Sequence, residues 1–121
     1  MTLRNLVLGI TLSAALFAAN PVVEQARKKV AEKKYDEAIT QLEGAYKAKP
    51  DAELKKALVD ANMAKADSFM NDDAVAPRVK YPTALRAYRE VVKYDKDNAK
   101  AKSNIATIEG IYKSMGRPAP Q

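Results

Sequence analysis

Cysteine, histidine and tryptophan are all absent from this chain of 121 residues. Without cysteine there is no disulfide framework and no thiolate nucleophile. Without histidine the commonest general base is missing, and with both absent so are the commonest zinc ligands. The four serines fit no nucleophile-elbow or serine–lysine pattern, and no glycine-rich phosphate loop occurs. We therefore expect no enzymatic activity and no cofactor.

Carboxylate pairs are the remaining source of site chemistry. Asp95, Asp97 and Asn98 begin like a calcium loop, but Lys100 stands where glycine must make the sharp turn, and no glutamate closes the loop. Helix capping is the favoured interpretation. The aspartates at 72–73 are expected to end a helix in solvent, with a weak cation site as the alternative. We assign no metal site.

Glycine is scarce, with four residues in the chain, whereas alanine, lysine, leucine and glutamate are abundant. Those four side chains lose little or no rotamer freedom in a helix, so the composition predicts an all-α fold. A chain of this length, 47% hydrophobic, suffices for one small domain with a core.

The N-terminus has the order of parts of a secretory signal peptide. Arg4 is a short basic flank, residues 6–19 carry no charge, and small residues precede Asn20. We predict a signal peptide over 1–19, with cleavage after Ala18 or Ala19 and an exported, periplasmic or secreted product. The alternative is an uncleaved anchor, but a membrane-spanning helix needs about 20 apolar residues.

The mature chain would keep 20 basic and 15 acidic residues, a formal charge of +5. Lysines mostly alternate with apolar positions, which is typical of a solvated helix face. Weak attraction to an anionic surface of the cell envelope is the functional alternative. We expect no nucleic-acid partner, because neither a groove-reading helix nor an aromatic–basic stacking motif occurs. Membrane contact is expected only through the signal peptide or such surface attraction.

A helical segment returns 46 residues later, since the pattern of 35–42 reappears at 81–88. An internal repeat of helical character predicts stacked helix pairs. Asp51 and Asp97 are the predicted caps of the third and fifth helices. Pro82 is predicted at the start of the fourth helix, after a loop over 74–80. The five predicted helices follow Asn20 and cover about 21–34, 36–48, 52–70, 82–94 and 98–115, and residues 116–121 are expected to form a disordered tail.

These residues resemble a tetratricopeptide repeat. Tyr35, Ala38, Leu42, Ala45 and Pro50 match the aromatic, small, bulky, small and proline positions of its second helix, and the matching positions near 81–91 repeat most of that set. The resemblance spans residues 22–115 and implies a short α-solenoid of antiparallel helix pairs. The offset of 46 instead of about 34 implies about twelve inserted residues, over 66–78.

The resemblance also implies a binding face. The first helix of each pair and the fifth helix would line a concave groove for a peptide or protein partner in the cell envelope. Family members that grip C-terminal carboxylates use five polar positions, of which only Lys100 matches here, so the resemblance implies a hydrophobic or mixed peptide instead. The implied groove residues are Arg27, Val30, Leu54, Leu58, Ala61, Lys65, Lys100 and Asn104.

Two other functions remain open from the sequence. The chain is alternatively a self-associating scaffold subunit, a homodimer in which the fifth helix pairs with its own copy through Ile108 and Ile111. The third hypothesis makes the inserted loop the recognition element, with Arg78 and Lys80 beside Tyr81.

Overall fold

The computed structural model describes residues 20–121, which form five α-helices and no strand. The predicted all-α fold with about five helices is confirmed. No helix within 20–121 is both long and apolar enough to cross a membrane. The predicted signal peptide and its cleavage site lie outside the described residues. The helices are α1 Pro21–Ala31, α2 Tyr35–Ala48, α3 Ala52–Asn71, α4 Pro77–Tyr94 and α5 Ala99–Ser114.

Short connections make consecutive helices antiparallel neighbours, and α1 also packs against α3. The backbone N–H of Asn20 donates to Glu53 Oε1 at 3.1 Å, which joins the N-terminal ends of α1 and α3. These two helices therefore run side by side in the same direction, while α2 covers them from one side. This arrangement creates the cleft described below.

Helix α1 ends at Ala31, three residues earlier than the sequence pattern indicates. Lys33 has φ 62°, in the left-handed region, and the backbone N–H of Lys34 bonds back to the Lys29 carbonyl at 2.8 Å. This geometry closes helices that normally end in glycine. The sequence contains no glycine here, so the periodic pattern gave no signal for the stop.

Asparagine and aspartate side chains begin three of the helices. Asp51 accepts from the Leu54 backbone N–H at 2.7 Å, as the sequence predicts. The prediction that Asp97 begins α5 is wrong by one residue, because Asn98 accepts from the Ala101 N–H at 3.0 Å. Asn20 accepts from the Val22 N–H and so begins α1. Each cap satisfies a backbone donor that the first helical turn leaves unpaired.

The predicted loop over 74–80 is also wrong. The connection is only 72–76, and α4 begins at Pro77, so Pro82 lies inside the helix. Pro82 is the sixth helical residue, and because it has no backbone N–H, the hydrogen bond to the Arg78 carbonyl is missing. Most of the predicted insertion therefore lengthens α3 and begins α4, and Arg78, Lys80 and Tyr81 are helical.

Two hydrophobic clusters form the core, and α3 contributes to both. The first joins α1, α2 and the N-terminal half of α3, and it includes the fully buried Val23, Leu42 and Leu58. The second joins the C-terminal half of α3 to α4 and α5, around Leu85 and Ile108. Helix α3 therefore joins the two halves into one stack.

Aromatic side chains fill the spaces between the helices. Tyr88 is fully buried, and Tyr35, Phe69 and Tyr81 pack against the two clusters. These aromatic side chains therefore belong to the core. Tyr46 of α2 and Tyr94 of α4 meet edge to face, with ring centroids 5.6 Å apart, a geometry that aromatic pairs prefer.

The C-terminal tail has no helix but lies against α4 and α5. Gly116, with φ 67°, turns the chain after α5, and the backbone N–H of Arg117 bonds to the Tyr112 carbonyl. Ala119 packs against the second cluster, and Arg89 donates to the Pro120 carbonyl at 2.5 Å. The tail thus has contacts that the sequence gave no reason to expect.

Replacing Lys33 with glycine should stabilise the protein. A non-glycine residue in the left-handed region costs roughly 1–2 kcal/mol, so Lys33→Gly should raise the free energy of unfolding by about 1 kcal/mol, less the entropy that glycine adds to the unfolded chain. Urea denaturation of residues 20–121 measures the change. Lys28→Gly, inside α1, is the matched control and should lower stability by about 1 kcal/mol. Equal destabilisation by both variants would contradict this account of the turn.

Candidate functional site

The eight residues predicted to line a groove do not form one continuous surface. Leu54, Leu58 and Ala61 are buried in the first cluster, since α3 is covered by neighbouring helices on more than one side. Leu54 and Leu58 are core residues and line no described cleft, so their assignment to an open groove is corrected.

The polar members of that set fall in different places. Lys65 points toward α2, where its Nζ lies 2.6 Å from Asp36 Oδ1. Lys100 is exposed on α5 and bonds Asp67 on α3, and Asn104 is half-buried one turn further along α5. Lys65 and Asp67 are two positions apart in the helix and therefore face nearly opposite directions. The structure does not bring Lys65 and Lys100 together.

Three of the predicted residues do share a site, the α1–α3 cleft. It has a volume of about 100 Å³ and opens between the two parallel helices. Arg27, Val30 and Asp60 surround its mouth. Its floor consists of buried apolar side chains, namely Val23, Ala26, Leu42, Ala57 and Ala61.

Alanines of α1 and α3 form much of the cleft floor. Ala26 on α1 and Ala57 and Ala61 on α3 are all buried, yet each fills little of the space between the helix axes. Small residues normally let two helices approach closely. Here Leu42 of α2 lies beneath both helices and lines the same space, so the gap between them stays partly open. The cleft is therefore an apolar concavity with no polar group in its floor.

Opposite charges stand on the two sides of the mouth. Arg27 on α1 pairs with Glu24 at 3.1 Å, and Asp60 on α3 pairs with Lys56 at 3.0 Å. All four side chains are largely exposed, and exposed pairs of this kind contribute at most about 1 kcal/mol each. Both partners within each pair belong to one helix, so no ion pair closes the cleft. Arg27 and Asp60 keep hydrogen-bonding capacity for an incoming ligand.

A polar network links the other half of the stack. Asp67 on α3 accepts from the Tyr88 hydroxyl on α4 at 2.6 Å and from Lys100 Nζ on α5 at 2.5 Å. Burial, the hydrogen bond to Asp67 and the charge of Asp67 all raise the pKa of Tyr88 well above its usual value of 10.0. The phenol therefore stays protonated and serves as a donor. This network links α3, α4 and α5.

Sequence patterns missed five of the eight residues around the cleft. Val23, Ala26, Leu42, Ala57 and Asp60 had no assigned role in binding. The available signal was the concentration of alanine on the facing sides of α1 and α3. Periodicity cannot tell whether such alanines bring helices together or leave a gap, because that depends on the third helix beneath them.

No group of three or more acidic side chains within 20–121 is placed to hold a metal ion. The sequence matches no protein-family model, and no curated protein or solved structure shows significant similarity to it. The geometry of the described residues therefore carries the functional argument.

The stability of the protein should fall above pH 10 because of Tyr88. Its pKa is higher in the folded state, so the unfolded chain releases the proton first, and stability is complete below about pH 10 and declines above it. The decline should reach at most about 1.4 kcal/mol per pH unit for this group. Urea midpoints at pH 8, 10 and 11 measure it.

Tyr88→Phe is the test variant for that decline. It loses the bond to Asp67 and should be less stable by about 1–3 kcal/mol at pH 8, but its stability should fall less steeply above pH 10. Tyr94, whose pKa burial also raises, remains in both proteins and contributes equally to the two slopes. Identical slopes would show that Tyr88 does not cause the decline.

Proposed function

We propose that this protein is a non-enzymatic, exported interaction module that binds a peptide or protein segment in the α1–α3 cleft. The observation that carries the proposal is an apolar concavity open to solvent, with a buried floor and hydrogen-bonding groups at its mouth. Concave, mostly apolar sites with a few polar groups are typical of ligand binding.

The order of the helices supports the same proposal. Antiparallel neighbours stacked side by side, with the first and third helices parallel, are what the tetratricopeptide resemblance implies. Stacks of this kind present a concave face made by the first helix of each pair. The α1–α3 cleft lies between two such helices, and it remains the part of that face with an apolar depression.

Self-association through α5 has weaker support. The sequence hypothesis used Ile108 and Ile111 as contact residues, but Ile108 is fully buried and Ile111 half-buried. A lysine at 108 would unfold the chain instead of dissociating a dimer. The exposed positions of α5 are polar or small: Ala99, Lys100, Lys102, Ser103, Ala106, Thr107, Glu109, Gly110, Lys113 and Ser114. A homodimer remains the second candidate, with light scattering as its direct measurement.

Reversing the charge at the mouth of the cleft should abolish capture of a partner. Arg27→Glu removes the donor beside the cleft, whereas Lys28→Glu makes the same charge change on an exposed position of α1 outside it. Residues 20–121 of both variants and of the unchanged chain are crosslinked to an envelope extract. We expect a partner recovered with the unchanged chain and with Lys28→Glu, and at least about tenfold less with Arg27→Glu.

Light scattering on the same samples gives the oligomeric state. Equal recovery with Arg27→Glu and Lys28→Glu would contradict binding at the cleft. A dimer that crosslinks only to itself would favour the scaffold function instead.

Export predicts a processed N-terminus. The full chain expressed with its first 19 residues in a bacterial host should appear outside the cytoplasm, and its N-terminal residue should be Ala19 or Asn20. Intact-mass measurement distinguishes these two products from the precursor. An unprocessed chain recovered in the membrane fraction would favour the uncleaved anchor.

A further inference from the structure

We infer that the α1–α3 cleft takes one branched aliphatic side chain, from leucine, isoleucine or valine, carried by an extended segment of the partner. This inference rests on the proposed function and specifies the chemistry that the cleft recognises. Three features of the site support it: the composition of the floor, its volume, and the charges at its mouth.

The floor selects against a polar anchor. Val23, Ala26 and Ala61 are at most 2% exposed, and the floor offers only aliphatic groups. A hydroxyl, amide or charged group placed there would lose its hydrogen bonds to water without gaining new ones, which is costly. An aliphatic side chain has no such loss and gains contacts with a surface that is otherwise incompletely packed.

The volume selects among apolar anchors. A dry protein cavity that accommodates benzene has a volume of about 150 Å³, and this cleft has about 100 Å³. An aromatic ring would therefore have to displace Leu42 or push the two helices apart. A branched aliphatic side chain fits the available space, while a single methyl group would leave most of it empty.

The mouth selects an extended backbone. Arg27 donates and Asp60 accepts, and they stand on the two helices that border the opening. A peptide unit offers the complementary pair, a carbonyl that accepts and an N–H that donates. A backbone lying across the mouth can therefore use both side chains while one of its own side chains enters the cleft. A helical segment has already paired its backbone groups internally, so it has none left for these two side chains.

The test uses small probes and the methyl resonances of residues 20–121. N-acetyl-leucine methylamide and N-acetyl-phenylalanine methylamide carry the two competing side chains on the same backbone. Leucine should shift the methyl signals of Ala26, Val30 and Ala61, and not that of Ala84, which is buried in the second cluster. Its Kd should be roughly tenfold lower than that of the phenylalanine probe.

Filling the cleft provides the matched variant. Ala57→Val adds two methyl groups to the floor. It should raise the Kd of the leucine probe at least roughly tenfold. Ala61→Val serves the same purpose should the first variant fail to fold, as its dispersed spectrum would reveal. The inference would be overturned if the phenylalanine probe bound as tightly as the leucine probe or more tightly. It would also be overturned if the filling variant left the shifts caused by the leucine probe unchanged.

The proposed function and the aliphatic anchor can be refuted separately. A partner that is lost with Arg27→Glu, in a protein whose cleft prefers no aliphatic probe, would leave the interaction module intact and refute the aliphatic anchor. Equal recovery with Arg27→Glu and Lys28→Glu would refute binding at the cleft, whatever the probes do.

Discussion

Helix α3 is buried on several sides and holds both halves of the molecule together. Its N-terminal half packs into the cluster with α1 and α2, and its C-terminal half packs into the cluster with α4 and α5. One helix can contact so many neighbours only if it carries small side chains, and α3 has Ala57, Ala61 and Ala66 at buried positions. Leu54 and Leu58 lie between neighbouring helices, where they supply much of the apolar area.

The alanines that let α3 pack closely also account for the cleft. A leucine at 57 or 61 would close the space above Leu42 but would press against α1, and overpacking commonly costs about 1–3 kcal/mol. An unfilled apolar space has its own cost, since its walls lose contacts that a filled core would have. In the proposed complex, an aliphatic side chain that enters the cleft would recover those contacts without moving a helix.

The sequence predicted the features that depend on the periodicity of apolar residues. It missed the features that depend on which helices pack against each other. The five helices and the Asp51 cap follow from local patterns. The end of α1 could not be predicted from local patterns, because Lys33 takes a backbone conformation that is usual for glycine. The start of α4 could not be predicted either, because a helix can begin at Pro77 or at Pro82 and only tertiary packing decides between them. Of the eight predicted groove residues, Arg27, Val30 and Ala61 meet at one cleft, and Leu54 and Leu58 belong to the core because α3 is covered.

The charged side chains of this protein mostly face solvent and add little to the stability of the fold. Most of the ion pairs within 20–121 join side chains that are largely exposed, and such pairs stabilise a fold only slightly. Asp67 has a different environment, because the hydroxyl of a buried tyrosine and a lysine both meet its carboxylate. At the other end of the stack, Arg27 and Asp60 are held by exposed pairs that a ligand can replace at little cost. The two halves therefore differ: the Asp67 network joins three helices, whereas the ion pairs at the cleft stay within one helix each.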